Sequence, residues 1–262
     1  MVNIETTDSG RLVLLTLARP DNRNALNRKM VIRLTELISA HGVDPVCRVI
    51  ILTGTGNTFS AGADLKALQQ MQSASFEENR EDSDTLARLF SAIRDCPKPV
   101  IARVNGHAIA GGLGLVTACD FAFCARNARL GFPEVRIGMV PAIVMVLLKR
   151  RLRDLEIRNL LLRGHLISAP EAEKAGLVNE VVSSAALDER VFELAREIAG
   201  STSPEAIAAT KRMLSEMDEM AWTAALDYAI TENARARETN DCRAGVSAFL
   251  EKTDPPWKIL EN

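Results

Sequence analysis

Three glycines, Gly111, Gly112 and Gly114, crowd into "AGGLG" directly after a strand-like run, and a second loop of small residues, Ala61-Gly62-Ala63, follows another such run. Glycine lets a ligand come close to the backbone, and a helix start offers unpaired N–H groups with the positive end of the helix dipole behind them. The segments "VIILTGTGNTFSAGADL" and "VIARVNGHAIAGGLGLV" could therefore both present backbone donors to an anion. Neither carries a phosphate signature. Gly54-x-Gly56 lacks a third glycine, Gly112-x-Gly114 is followed by Thr117 where another glycine is needed, and no GxxxxGK[ST] occurs. A developing enolate or tetrahedral oxygen fits better, because each preorganised donor of an oxyanion hole lowers a barrier by roughly 3–4 kcal/mol. Tight turns and close helix packing would account for either loop taken alone.

Other reactive side chains offer little. His41, His107 and His165 show no HExxH or comparable ligand spacing, so His107, although beside the glycine loop, is expected to be structural and no metal site is expected. Ser60 and Ser168 lack a nucleophile elbow, which argues against a serine hydrolase. Cys47, Cys96, Cys119, Cys124 and Cys242 are odd in number and form no CxxC pair. They are expected to be reduced and mostly buried, in neither a disulfide framework nor a thiolate metal site.

The elements that must hold the loops alternate between strand and helix. "RLVLLTLA" and "CRVIILTG" are buried-strand candidates, and between them Asn27 can cap a helix with Met30, Leu34, Leu37 and His41 at helical spacing. "TGTGNTFSAGADL" reads as a loop, and the polar "QQMQSASFEENREDSD" as a mobile segment. A helix is marked by Leu86, Leu89, Phe90 and Ile93, then broken between Cys96 and Pro99, before the strand "VIARV". Leu187, Val191, Leu194 and Ile198 form a later stripe, and Ser203-Pro204 signals a helix carrying Ile207, Leu214 and Met217. The expected organisation is an α/β body with a helical carboxy-terminal region that packs on itself or on a neighbouring subunit.

At 262 residues the chain can bury a substantial core. With 32 basic against 34 acidic residues, it has no overall field that would draw it to nucleic acid or an acidic membrane. The basic end of "PAIVMVLLKRRLRD" lacks interleaved aromatics and reads as the cationic end of a core helix. No apolar run is long enough to span a membrane and the amino terminus lacks a leader pattern, so a cytoplasmic setting is expected, with neither nucleic acid nor membrane as a partner.

"FSAGADL" at 59–65, "NGHAIAGGLGLVTACD" at 105–120 and "FPEVRIGMVP" at 132–141 together resemble the crotonase superfamily, the enoyl-CoA hydratase/isomerase family. "RPDNRNALN", "AEKAGLVNEVV" and "SPEAIAATK" extend the resemblance along nearly the whole chain. The resemblance implies a spiral of ββα turns over residues 1–200 and a helical trimerisation region over 201–262, assembled as a homotrimer or homohexamer. It also implies an acyl-CoA thioester substrate and no separate cofactor, since coenzyme A enters as part of that substrate.

Carried over residue by residue, the resemblance makes the N–H groups of Ala63 and Gly111 the oxyanion donors. Ala25, Ala61, Leu65 and Lys66 would lie along the coenzyme A moiety. Hydratases of the family typically use two glutamates; one matches Glu134, and the other belongs at position 114, where this chain has glycine. Gly114 is thus expected to open space in the acyl site. One carboxylate can act as base and then return the proton as acid. The implied activity is addition of water to a 2-enoyl-CoA, including branched, methylglutaconyl-like acyl groups. The alternatives are Δ3,Δ2-enoyl-CoA isomerisation through Glu134 alone, and an acyl-CoA-binding homologue with weak chemistry. Arg136 could meet a substrate carboxylate or be a surface arginine, and Glu77, Glu78, Glu81, Asp82 and Asp84 read as a solvated acidic face.

Overall fold

Apolar runs of five to eight residues are buried on both faces only in a sheet covered on both sides, and that is where the strand candidates lie. The computed structural model describes residues 1–258. A hairpin of β1 (Val2–Thr7) and β2 (Leu12–Leu17) opens the chain. Helix α1 (Arg28–Val43) follows, capped by the Asn27 side chain, which accepts the Met30 N–H at 2.9 Å. Next come β3 (Val49–Gly54), β4 (Thr58–Ser60), α2 (Leu65–Gln70) and α3 (Phe76–Asp95), then β5 (Val100–Val104), β6 (His107–Ile109) and α4 (Gly111–Ala118). A third turn comprises β7 (Phe121–Ala125), β8 (Arg129–Gly131) and α5 (Ala142–Arg151). Helix α6 (Asp154–Arg163), β9 (Leu166–Ser168), α7 (Ala169–Ala175) and β10 (Glu180–Val182) lead to α8 (Leu187–Ser201), α9 (Pro204–Met217), α10 (Trp222–Ala236) and α11 (Asn240–Glu251).

Three successive ββα turns therefore place one strand each in two sheets. The larger sheet has the order β1-β2-β3-β5-β7-β10, the smaller β4-β6-β8-β9. Side chains alternate along the large sheet as strand geometry requires. Val13, Leu15, Ile50 and Leu52 enter the main core, while Leu12, Val49 and Ile51 face Leu187, Val191 and Ile198 of α8 on the other side. The crotonase-like spiral with a helical carboxy-terminal region is thus the observed architecture.

Two local expectations are corrected. The supposed loop after β3 contains β4, whose three residues are buried and pair with β6. The polar stretch thought mobile is helical: Ser75 and Glu78 form a reciprocal capping box that starts α3 ten residues before Leu86. No residue of α9 is buried, and Leu214, Trp222, Leu226, Ile230 and Phe249 of the last three helices are exposed. Among the described residues, no helix is long and apolar enough to cross a membrane.

Candidate active site

Ala63, Gly111 and Glu134, the residues singled out from the sequence, follow neighbouring strands of the small sheet and leave them at the same end. β4, β6 and β8 are mutually parallel neighbours. Ala63 stands three residues beyond β4, Gly111 two beyond β6, and Glu134 three beyond β8. Ligands in α/β proteins commonly settle outside such carboxyl ends.

Each donor is freed by its local backbone pairing. Leu26 donates its N–H to the Gly62 carbonyl at 2.7 Å and accepts the Asp64 N–H at 3.1 Å. In this parallel bridge the residues flanking Ala63 carry the bonds to Leu26, so the Ala63 N–H faces away from it. Gly111 is the first residue of α4, where helix geometry leaves N–H groups unclaimed; the Gly114 N–H is already bonded to the Ala110 carbonyl at 2.9 Å. The two loops touch. A Cβ on Gly62, whose φ is +85°, would stand 2.7 Å from the Ile109 carbonyl oxygen and 3.2 Å from the Gly111 nitrogen, so only glycine permits this approach.

Glu134 begins a short 3-10 turn, Glu134–Ile137, and is half-buried. Its Oε2 is buried without a hydrogen-bond partner. Burial pushes its carboxyl above the ordinary value, countered only by a bond to its own backbone N–H. An unpaired, desolvated carboxyl of this kind is suited to exchanging a proton with a substrate.

Gly114 does not open the expected space. A Cβ there would stand 2.6 Å from Phe90 Cζ and 2.8 Å from Val144 Cγ1, so the volume is already filled. Phe90 comes from α3 and Val144 from α5, and neither relation is visible in the local sequence.

Two of the residues assigned to coenzyme A, Ala25 and Ala61, lie on one hydrogen-bonded ladder. The Ala61 N–H donates to the Arg23 carbonyl at 2.9 Å, which aligns residues 23–26 with 61–64. Ala25 is buried, Ala61 half-buried, and Leu65 and Lys66 exposed on α2. Two residues that hold this ladder were not singled out from the sequence. Asn24, fully buried with φ 53°, donates to the carbonyls of Thr55 at 2.9 Å and Thr58 at 2.7 Å. Arg19 donates to the Ala25 carbonyl at 2.7 Å and pairs with Asp64 at 3.0 Å, holding that carboxyl below its usual range. The signal available was the placement of both in "RPDNRNALN", next to Ala25.

The remaining candidates have structural partners. His107 Nδ1 accepts the Arg129 N–H at 3.0 Å. Ser60 donates to the Asn24 carbonyl at 2.9 Å, and Ser168 caps α7. Arg136 is exposed and donates to the Arg163 carbonyl at 3.4 Å. Glu81 pairs with Arg28 at 2.6 Å and Asp84 with Arg88 at 2.7 Å on the outer face of α3. Arg151 of α5 donates to the carbonyls of Thr117 and Cys119, both at 3.0 Å, and so closes the carboxyl end of α4. All five cysteines are free, and burial pushes the thiols of Cys47, Cys119 and Cys124 up to about 12.

The sequence profile described as "Enoyl-CoA hydratase/isomerase" matches residues 7–259. A relative from Thermus thermophilus, provisionally named an enoyl-CoA hydratase, is 39% identical over 97% of this chain and 99% of its own. The 2,3-dehydroadipyl-CoA hydratase of Escherichia coli is 34% identical over 95% of each chain. Among solved structures, an enoyl-CoA hydratase of Mycobacterium smegmatis superposes with a TM-score of 0.90 at 32% identity, covering 98% of both chains.

Proposed function

The chain belongs to the enoyl-CoA hydratase/isomerase family, and on that premise we propose that it adds water to a 2-enoyl-CoA thioester with Glu134 as the sole proton-transfer group. The observation that carries the proposal is the buried, unpartnered Oε2 of Glu134, which follows β8 as Gly111 follows β6 and Ala63 follows β4.

In the proposed reaction the N–H groups of Ala63 and Gly111 hold the thioester oxygen. Water attacks C3 as its proton passes to the Glu134 carboxylate, and the C2=C3 electron pair moves onto the thioester as an enolate. The donors stabilise that charge. Glu134 then returns the proton to C2, so that H and OH have been added and the enzyme is restored. Ala25, Ala61, Leu65 and Lys66 would line the coenzyme A path. No cofactor beyond the coenzyme A of the substrate is required.

The filled volume at Gly114 favours a second activity of the family, Δ3,Δ2-isomerisation, which moves a proton from C2 to C4 and needs one base. Incubation with crotonyl-CoA, a 3-enoyl-CoA and 3-methylglutaconyl-CoA, followed by product mass, separates the two. Gain of one water supports hydration; double-bond migration without mass gain makes the enzyme an isomerase; and absence of any conversion favours a binding role.

We also assign residues 201–262 to oligomerisation as a trimer or hexamer, a proposal supported by the exposed apolar side chains of α9, α10 and α11. Four buried free thiols suit a cytoplasmic setting, where cysteines stay reduced.

A further inference from the structure

Beyond Glu134 the chain stays exposed from residue 135 to residue 140 and returns to burial only at Pro141. The firm contact of this turn is with the end of α6, a helix anchored in the main core by Ile157, Leu160 and Leu161. Gly164 ends that helix at φ +55° and donates its N–H to the Leu160 carbonyl at 3.2 Å. The place of its absent side chain lies against the Glu134 turn. A Cβ on Gly164 would stand 2.7 Å from Val135 Cγ2, 3.2 Å from Arg136 Cγ and 3.5 Å from Pro133 Cα. The neighbouring residues fit as closely. A Cβ on Gly131 would stand 2.6 Å from the His165 carbonyl oxygen, where Gly131 pairs with Leu166 across β8 and β9. Residues 164–166 thus abut the chain both before and after Glu134.

We propose that Gly164 is a positioning residue for Glu134: having no side chain, it lets the end of α6 seat directly against the turn, and this contact fixes where the carboxyl stands. A turn pushed off α6 would carry the carboxyl toward water and weaken the burial that raises its pKa. A misplacement of about 1 Å can cost about 10²-fold in rate. Gly176 supplies the comparison. It ends α7 at φ +83°, yet only Leu152 Cδ2, at 3.9 Å, lies near the place of its Cβ. Alanine at either position meets the same kind of backbone strain, but only at 164 does it press on the Glu134 turn. The positioning role depends on the proton transfer proposed for Glu134, so its test includes a readout that needs no turnover.

The experiment compares the full chain with Gly164→Ala, Gly176→Ala and the double variant Gly164→Ala with Val135→Ala. Each is followed by thermal unfolding, by crotonyl-CoA kinetics and by NMR titration of the Glu134 carboxyl, whose resonance is assigned by its loss in Glu134→Gln. Gly176→Ala should lower Tm by about 2–4 °C through strain alone, and Gly164→Ala by at least as much. Only Gly164→Ala should lower kcat, by about 10–100-fold with KM changed less than about twofold. It should also move the Glu134 titration down toward the ordinary carboxyl value. Val135→Ala removes the methyl nearest the new Cβ, so in the Gly164→Ala background it should restore both kcat and titration. A Glu134 titration unchanged in Gly164→Ala, a kcat lowered equally by Gly176→Ala, or no rescue by Val135→Ala would overturn the inference. If Gly164→Ala does not fold, Gly164→Asn beside Gly176→Asn tests the same contact with a residue that tolerates the left-handed conformation. Failure of the Glu134 role is seen separately, as near-normal turnover by Glu134→Gln while the titration shift in Gly164→Ala persists.

Discussion

The Ala110 N–H donates to the Gly131 carbonyl at 2.9 Å, and this bond ties the loop that leads into Gly111 to the loop that leads into Glu134. Ala110 immediately precedes Gly111, and Gly131 lies three residues before Glu134. Ala110 is held at φ 51°, an uncommon conformation for a residue with a Cβ that costs about 1–3 kcal/mol. The parallel pairing of β6 with β8 and the close approach of Gly62 hold it there. The site is therefore positioned by backbone, and Glu134 is the one side chain assigned to proton transfer.

The raised pKa of Glu134 sets a pH dependence. As the base in hydration it must be ionised, so kcat/KM should rise with pH and level off only above the ordinary carboxyl value of 4.5. The folded state also keeps that proton longer than the unfolded chain. Between the ordinary and raised values, stability should therefore fall as pH rises, and Glu134→Gln should remove this component. Rate and urea-unfolding profiles of both proteins check the prediction, and a limb at or below the ordinary value would contradict it.

Asn24→Ala should damage both fold and binding. It removes the donor to two carbonyls and the acceptor for the Arg19 N–H at 2.9 Å, and leaves a Cβ at positive φ. The cost should be about 3 kcal/mol. Because residues 23–26 carry Ala25 and pair with the Ala63 loop, KM for an acyl-CoA should rise more than kcat falls. Thermal unfolding and steady-state kinetics measure the two effects, and unchanged Tm and KM would contradict the assignment.

The contrast between Asn24 and Glu134 shows what sequence patterns can carry. Ala63, Gly111 and Glu134 could be proposed from the sequence because each lies in a short contiguous motif that carries the family resemblance. The ββα spiral was legible from the same resemblance. Strand β4 was missed because three residues are too few to display a period. The start of α3 was missed because its first turns are acidic, although Ser75 and Glu78 had the spacing of a capping box. The blockage at Gly114 was illegible for a different reason: Phe90 and Val144 reach it from separate helices, and only tertiary packing reveals that the space is occupied.

Lys211→Met should loosen the attachment of α9 to the body. Its ammonium donates to Asp120 at 2.6 Å and to the carbonyls of Lys98 at 3.0 Å and Ile93 at 3.2 Å. The lysine side chain is 10% exposed and that of Asp120 26%, so the substitution takes the cation from a largely buried carboxylate that keeps the Val100 N–H at 2.7 Å as a hydrogen-bond donor. A loss of about 2–3 kcal/mol in urea unfolding is expected. An unchanged unfolding midpoint would show that the pair does not anchor the helix.

The most direct test of the central claim is crotonyl-CoA hydration by Glu134→Gln, measured beside the Kd of a saturated acyl-CoA for the same protein. The isosteric amide keeps the shape of the site but cannot accept the proton. Turnover should fall by about 10²–10⁴-fold, with Kd changed little. Near-normal turnover by Glu134→Gln would contradict the assignment of Glu134 as the sole proton-transfer group.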